Sequence, residues 1–222
     1  VAMRERAKEI ASYRGLVVVE ANVRAQWSAE AEKWFPDASL VTVTSSKDLT
    51  KLTDALAAAG PEGENAAAPL VIVTSYAMLN SVSTEATARA EEAAEARTNA
   101  RAVTAPINGR EIQFGLFGDD YVVDENGNAA EAAPVVVEER PVTLGSVLLD
   151  TFFHDIIADE AEVLRGTGSK QSNALWSLRA NAAVAVALTG TPINRGLDDL
   201  GRLISWARND ERLFRGVKLS EK

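Results

Sequence analysis

Five short runs that are apolar along most or all of their length set the terms for this chain: residues 16–19 (LVVV), 40–43 (LVTV), 69–73 (PLVIV), 154–158 (HDIIA) and 183–188 (AVAVAL). A strand with one wet face alternates apolar and polar residues, so runs without that alternation belong to strands covered on both sides. Amphipathic stretches lie between them. Residues 23–35 put Val23, Trp27, Ala31 and Trp34 or Phe35 on one side, with Asn22 as the expected cap and Pro36 as the stop. Residues 48–59 read as a helix halted by Gly60-Pro61, residues 172–180 as another, and residues 197–207 as a third carrying Leu200, Leu203, Ile204 and Trp206. This alternation predicts an α/β fold, a doubly wound and mainly parallel sheet. Ligands of such sheets bind beyond the carboxyl ends of the strands. That rule singles out Glu20-Ala21-Asn22, Thr74-Ser75-Tyr76, Asp159-Glu160 and Thr189-Gly190-Thr191.

Residues 81–145 break the rhythm. They open with EATARAEEAAEARTNARA, good helix material with little beyond alanine to bury, and continue with apolar runs separated by turn signals at Gly118-Asp119 and Asn126-Gly127. The expectation is one lobe built from residues 1–80 and 146–222, interrupted by an acidic insertion, 81–145, holding a helix and a β-hairpin. The insertion carries 12 acids against 5 bases, most of the chain's net charge of −9. The lobe itself is nearly balanced, so the acidic total does not exclude a nucleic-acid partner.

With no cysteine, the chain has neither disulfides nor thiolate metal sites, and a single histidine leaves no multi-histidine zinc site. No apolar run approaches the roughly 20 residues needed to span a bilayer, and charges at Arg4, Glu5, Arg6, Lys8 and Glu9 interrupt any leader-like core. These features imply a soluble, intracellular chain without a membrane partner, cytoplasmic or nucleoid-associated.

The Asp159-Glu160 pair at the end of an apolar strand fits two readings. It suits a magnesium site in which the aspartate fixes the ion through water and the glutamate orients the attacking water. It equally suits the solvated start of a loop. The stretch LTGTPINRGLDD, residues 188–199, sets two hydroxyls around a glycine after another strand. Such groups can bond a phosphate or a neighbouring carboxylate, and the same pattern serves as ordinary loop punctuation.

In order, residues 16–36 (LVVVEANVRAQWSAEAEKWFP), 71–79 (VIVTSYAML), 154–173 (HDIIADEAEVLRGTGSKQSN) and 186–206 (VALTGTPINRGLDDLGRLISW) resemble motifs Ia, Ib, II and III of Swi/Snf-type superfamily II ATPases. The resemblance implies a first RecA-like lobe that, with a second lobe, hydrolyses ATP with Mg2+ and moves along DNA. It assigns Asp159 and Glu160 to the Walker B pair, with Asp159 holding the magnesium through water. Thr189, Gly190 and Thr191 take the coupling motif, and Asn22, Gln26, Thr74, Ser75 and Tyr76 take the loops along a DNA strand. Trp27 falls in motif Ia as well, although its spacing from Val23 and Trp34 also suits a core position. The Thr189-Gly190-Thr191-Pro192 loop separates the chain from DEAD-box RNA helicases, which usually carry Ser-Ala-Thr there.

Three departures stand beside the resemblance. Glu162 occupies the place of the family's motif II histidine, which normally bridges to motif III, and so sets a third carboxylate near two others. Glu20 replaces a proline where DNA phosphates would run. The two glutamates predict an impaired or altered lobe. No G-x-x-x-x-G-K-[ST] loop occurs in the 222 residues, and no second-lobe motif or arginine finger occurs either. The expectation is therefore a fragment, a split-gene product or a lobe without its own nucleotide binding, silent as an ATPase by itself. The rival expectation is a non-catalytic RecA-like module binding DNA or a protein.

Overall fold

The computed structural model describes residues 2–60, 68–101, 104–107, 110–113, 122–123, 129–130, 141–166 and 168–210. In chain order these form α1 (Ala2–Ala7), β1 (Arg14–Val19), α2 (Arg24–Trp34), β2 (Ser39–Thr42), α3 (Leu49–Ala58), β3 (Leu70–Ser75) and α4 (Leu79–Arg101). They continue with β4 (Thr104–Ile107), β5 (Arg110–Gln113), β6 (Val122–Val123), β7 (Ala129–Ala130), α5 (Leu144–Asp150), β8 (Phe153–Ala158), α6 (Lys170–Arg179), β9 (Ala182–Ala187) and α7 (Leu197–Arg208). The chain divides into two compact units, Val1–Ala86 with Val142–Lys222, and Thr87–Pro141.

The first unit is built on a five-stranded sheet in the order β2-β3-β1-β8-β9, every pairing parallel. Each strand coincides with one of the five apolar runs, within one or two residues at its ends. Alternate residues feed two separate cores, as the pleat requires. Leu16, Val18, Leu70, Ile72, Ile156 and Ala158 enter the larger one with Leu52, Leu148, Leu175 and Trp206, all but fully buried. Val17, Val19, Val71 and Val73 enter the smaller one beneath Met3, Val23, Trp27 and Phe35. Each buried aliphatic side chain contributes about 1.5–3 kcal/mol against the chain entropy lost on folding. Arg179, buried at the end of α6, donates to the carbonyls of Trp206 and Ala207 and so closes the C-terminus of α7.

Local details correct the sequence reading. Asn22 does not cap α2: the cap position is Val23, which makes no side-chain cap bond. Trp34 is 53% exposed and does not share the buried face that Val23, Trp27 and Phe35 present. Asp48, the expected first residue of the second helix, instead ends a 3-10 turn, residues 46–48, and α3 begins at Leu49, with Ser45 and Asp48 forming a capping box. The short helix α5 has no counterpart in the sequence reading.

The second unit contains the two-stranded antiparallel pairs β4–β5 and β6–β7. Both expected turns, Gly118-Asp119 and Asn126-Gly127, lie outside the described residues. Among the described residues no helix is long and apolar enough to cross a membrane.

Candidate functional site at the carboxyl edge of the sheet

The register pairs Val19 with Ser75, Val18 with Ala158, and Ala158 with Ala187, so β1, β3, β8 and β9 end in line. Past that line stand Glu20, Tyr76, Asp159 and Leu188. Asp159 carries the ladder one residue beyond β8, its N–H donating to the Val18 carbonyl at 2.8 Å. The buried Tyr76 phenol donates to the Asp159 carbonyl at 2.7 Å. The Trp27 indole N–H donates to Asp159 Oδ2 at 2.8 Å. Three elements thus fix Asp159, two through its main chain and Trp27 through its half-buried carboxylate. Trp27 accordingly plays both parts, packing into the smaller core and holding Asp159.

Glu160 follows in a left-handed conformation, φ 50° and ψ 52°, and is exposed. A non-glycine residue held there costs about 1–3 kcal/mol, a cost that recurs at functional positions. The chain then enters a 3-10 turn, Ala161–Arg165, anchored by the Ala161 N–H on the Leu188 carbonyl at 2.8 Å.

That turn brings the DEAE sequence against the loop after β9. Glu162 Oε1 accepts the Thr191 hydroxyl, and the Thr189 hydroxyl at 3.4 Å. Arg165 Nη2 donates to Glu162 at 3.1 Å and to Thr191 Oγ1 at 2.8 Å. Within the loop the Thr191 N–H bonds Thr189 Oγ1 at 3.1 Å, and Gly190 lies exposed between them. The Thr191 hydroxyl, and then the Arg165 guanidinium, hold the Glu162 carboxyl below the usual carboxylate range. The expected repulsion of a third carboxylate is therefore met by a cation that the sequence reading did not pair with it. Asp199 of α7 takes the N–H groups of Arg195 and Asn194 at 2.8 and 3.0 Å, and these bonds lower its pKa. A cavity of about 190 Å³ opens among Glu162, Arg165, Gly166, Asn194, Arg195 and Asp199.

Burial first, and then the charges of Glu20, Asp159, Glu160 and Glu162, push the Tyr76 phenol's pKa up, which marks those four acids as one negative cluster around it. Among the described residues no group of three or more His, Asp or Glu side chains converges on a point where a metal could be caged. Magnesium in nucleotide sites commonly keeps several waters and takes one or two carboxylates plus substrate phosphates. The single fixed carboxylate of Asp159 suits that arrangement, with the phosphates supplied by the ligand.

The residues expected along DNA separate into two sets. Asn22 and Gln26 are exposed, at the turn before α2 and in its first turn, and Glu20 is exposed beside them. Thr74, Ser75 and Tyr76 are buried, at 0%, 1% and 2% exposure. Their hydroxyls serve the lobe itself: Thr74 reaches the Val43 carbonyl at 3.5 Å, and Ser75 accepts from Arg24 at 3.3 Å. A strand in contact with Thr74 and Ser75 would have to meet their backbone.

A parallel sheet whose strands β1, β3 and β8 are covered on both faces, with an Asp-Glu pair at the end of β8 and a hydroxyl loop after the more exposed β9, defines a RecA-like lobe. The chain belongs to the SNF2-related domain family, whose model matches residues 1–212, and it is a first lobe of Swi/Snf type. Its fold is similar to the Sulfolobus solfataricus SWI2/SNF2 ATPase core in complex with dsDNA, with a TM-score of 0.51 at 17% sequence identity. That match covers 92% of this chain and 27% of the Sulfolobus chain, so the lobe spans well under half of the larger molecule. No curated protein matches the chain.

Proposed function

We propose that this chain is the first lobe of a DNA-dependent ATPase of Swi/Snf type, acting on duplex DNA when a phosphate-cradling loop and a second lobe complete it. Asp159 would hold Mg2+ through water, Glu160 would orient and deprotonate the attacking water, and Asn22 and Gln26 would touch the DNA backbone. Magnesium would neutralise charge developing on the phosphates. The observation that carries this reading is the fixing of Asp159 by β1, Tyr76 and Trp27, directly before the strained, exposed Glu160. The similar Sulfolobus ATPase core was captured with dsDNA, which makes DNA the polymer to test. Contacts through exposed amides at Asn22 and Gln26 would grip the backbone without reading sequence.

Glu160→Gln in the complete protein tests the assignment. The carboxamide keeps the shape and loses the base, so DNA-stimulated hydrolysis should fall about 10²–10⁴-fold while DNA binding persists. Turnover within a few-fold of the unmodified protein would remove Glu160 from the chemistry. The 222 residues alone should show no ATPase, since a γ-phosphate lysine and an arginine finger are needed for the rate. Measurable turnover by the purified chain would move the site elsewhere.

A further inference from the structure

Arg165 is placed unlike a surface arginine. Its side chain is 12% exposed although it sits on a short turn at the edge of the lobe. Its Nη2 reaches Glu162 Oε1 at 3.1 Å, Thr191 Oγ1 at 2.8 Å and Thr189 Oγ1 at 3.4 Å, and its Nε is buried without a partner. The Thr191 hydroxyl is both acceptor from Arg165 and donor to Glu162, while Glu162 also accepts from Arg165. The three groups therefore close a ring of hydrogen bonds, and removing any one leaves the other two short of a partner. An isolated exposed ion pair would contribute little. A mostly buried guanidinium is different, because here one nitrogen, Nη2, holds a carboxylate and two hydroxyls together.

The ring joins two loops far apart in sequence. On one side, Glu162 and Arg165 follow Asp159 and Glu160 without a break. On the other, Thr189 and Thr191 lead into Asn194 and Arg195, whose N–H groups are held by Asp199 of α7. An unbroken series of bonds thus runs from the Asp-Glu corner through Arg165 and Glu162 to the loop and on to α7. We infer that Arg165 is a positioning residue which, paired with Glu162, couples the Asp159-Glu160 box to the Thr189–Thr191 loop. The inference rests on the reading of that box as the ATP site. It also makes Glu162 a working substitute for the family's bridging histidine, since the pair supplies a donor and an acceptor at once.

The test is Arg165→Met in the complete protein, with Arg165→Lys as the variant to use where the methionine does not fold. Amide hydrogen exchange across residues 189–195 should rise about tenfold, and kcat for DNA-stimulated hydrolysis should fall about tenfold with KM for ATP unchanged, the scale of losing a group that orients a site residue. Glu162→Gln should do the same, and the double variant should do little more than either alone. In a Glu162→His background, where an imidazole can bond the loop unaided, Arg165→Met should have little effect. Exchange as in the unmodified protein, a change in KM alone, or fully additive effects would each overturn the coupling role. Retained hydrolysis by Glu160→Gln would instead sink the ATP-site reading and leave the exchange result standing.

Discussion

Tyr76 links the acidic edge of the sheet to its core, and its proton is the sign of that position. Its ring is buried, its hydroxyl is spent on the Asp159 carbonyl, and burial and four nearby carboxylates push its pKa up. Tyr13 is pushed up too, first by burial and then by its hydrogen bond to buried Asp155 at 2.6 Å. A raised pKa means the folded state keeps the proton more tightly than the unfolded chain, whose tyrosines titrate near pH 10. The linked stability is complete below about pH 10 and is lost as pH rises above it. In an alkaline titration followed by phenolate absorbance, two of the three tyrosines should ionise only as the near-ultraviolet dichroism collapses. Phenolates appearing near pH 10 with the dichroism intact would refute this. Such single residues were unevenly legible. Asp159 and Glu160 stood out because they end an apolar run. The bond from Trp27 to Asp159 crosses 132 residues, and that from Arg165 to Thr191 crosses 26, so no local pattern announces either.

At the scale of elements, β1, β3 and β8 were readable because burial on both faces leaves a run with little alternation, whereas β9 reads the same way and yet leaves Val186 exposed. Helix α5 was not. Its sequence, LGSVLLD, puts a glycine in the first turn and is too short to show a period, so propensity alone would not form it. What forms it is the capping box of Thr143 and Ser146 and the burial of Leu144 and Leu148. Gly145 explains the unfavourable residue: a Cβ there would strike the Ser81 carbonyl of α4, a backbone group that cannot swing aside. Only hydrogen allows these two helices to meet so closely. Gly145→Ala should cost about 1–3 kcal/mol of overpacking and lower Tm by roughly 2–10 °C. Gly190→Ala, whose added methyl meets nothing within 4 Å, is the control and should move Tm by no more than about a degree. Equal melting of the two variants would show that α4 and α5 can separate without cost.

At the scale of the whole molecule, charge and compactness divide the chain at nearly the same points, although the two properties are independent. Residues 87–141 hold 11 acids and 5 bases, net −6 of the chain's −9, and they fall together as the second compact unit. The remaining residues keep the five-stranded sheet, both cores and every residue of the candidate site, and would carry net −3. Replacing 87–141 by a short flexible linker therefore removes charge without removing a core residue of the first unit. We expect the shortened chain to melt cooperatively within about 5 °C of the full one, because cooperativity follows the shared core. Its affinity for duplex DNA at low salt should rise, as six net negative charges no longer repel the phosphates, and the gain should fade as salt shortens the screening length to about 8 Å at physiological strength. Gel-shift titrations of both chains at two salt concentrations measure this directly. If excision instead abolishes DNA binding at both concentrations, the acidic unit is itself the contact surface, and Asn22 and Gln26 lose the role proposed for them.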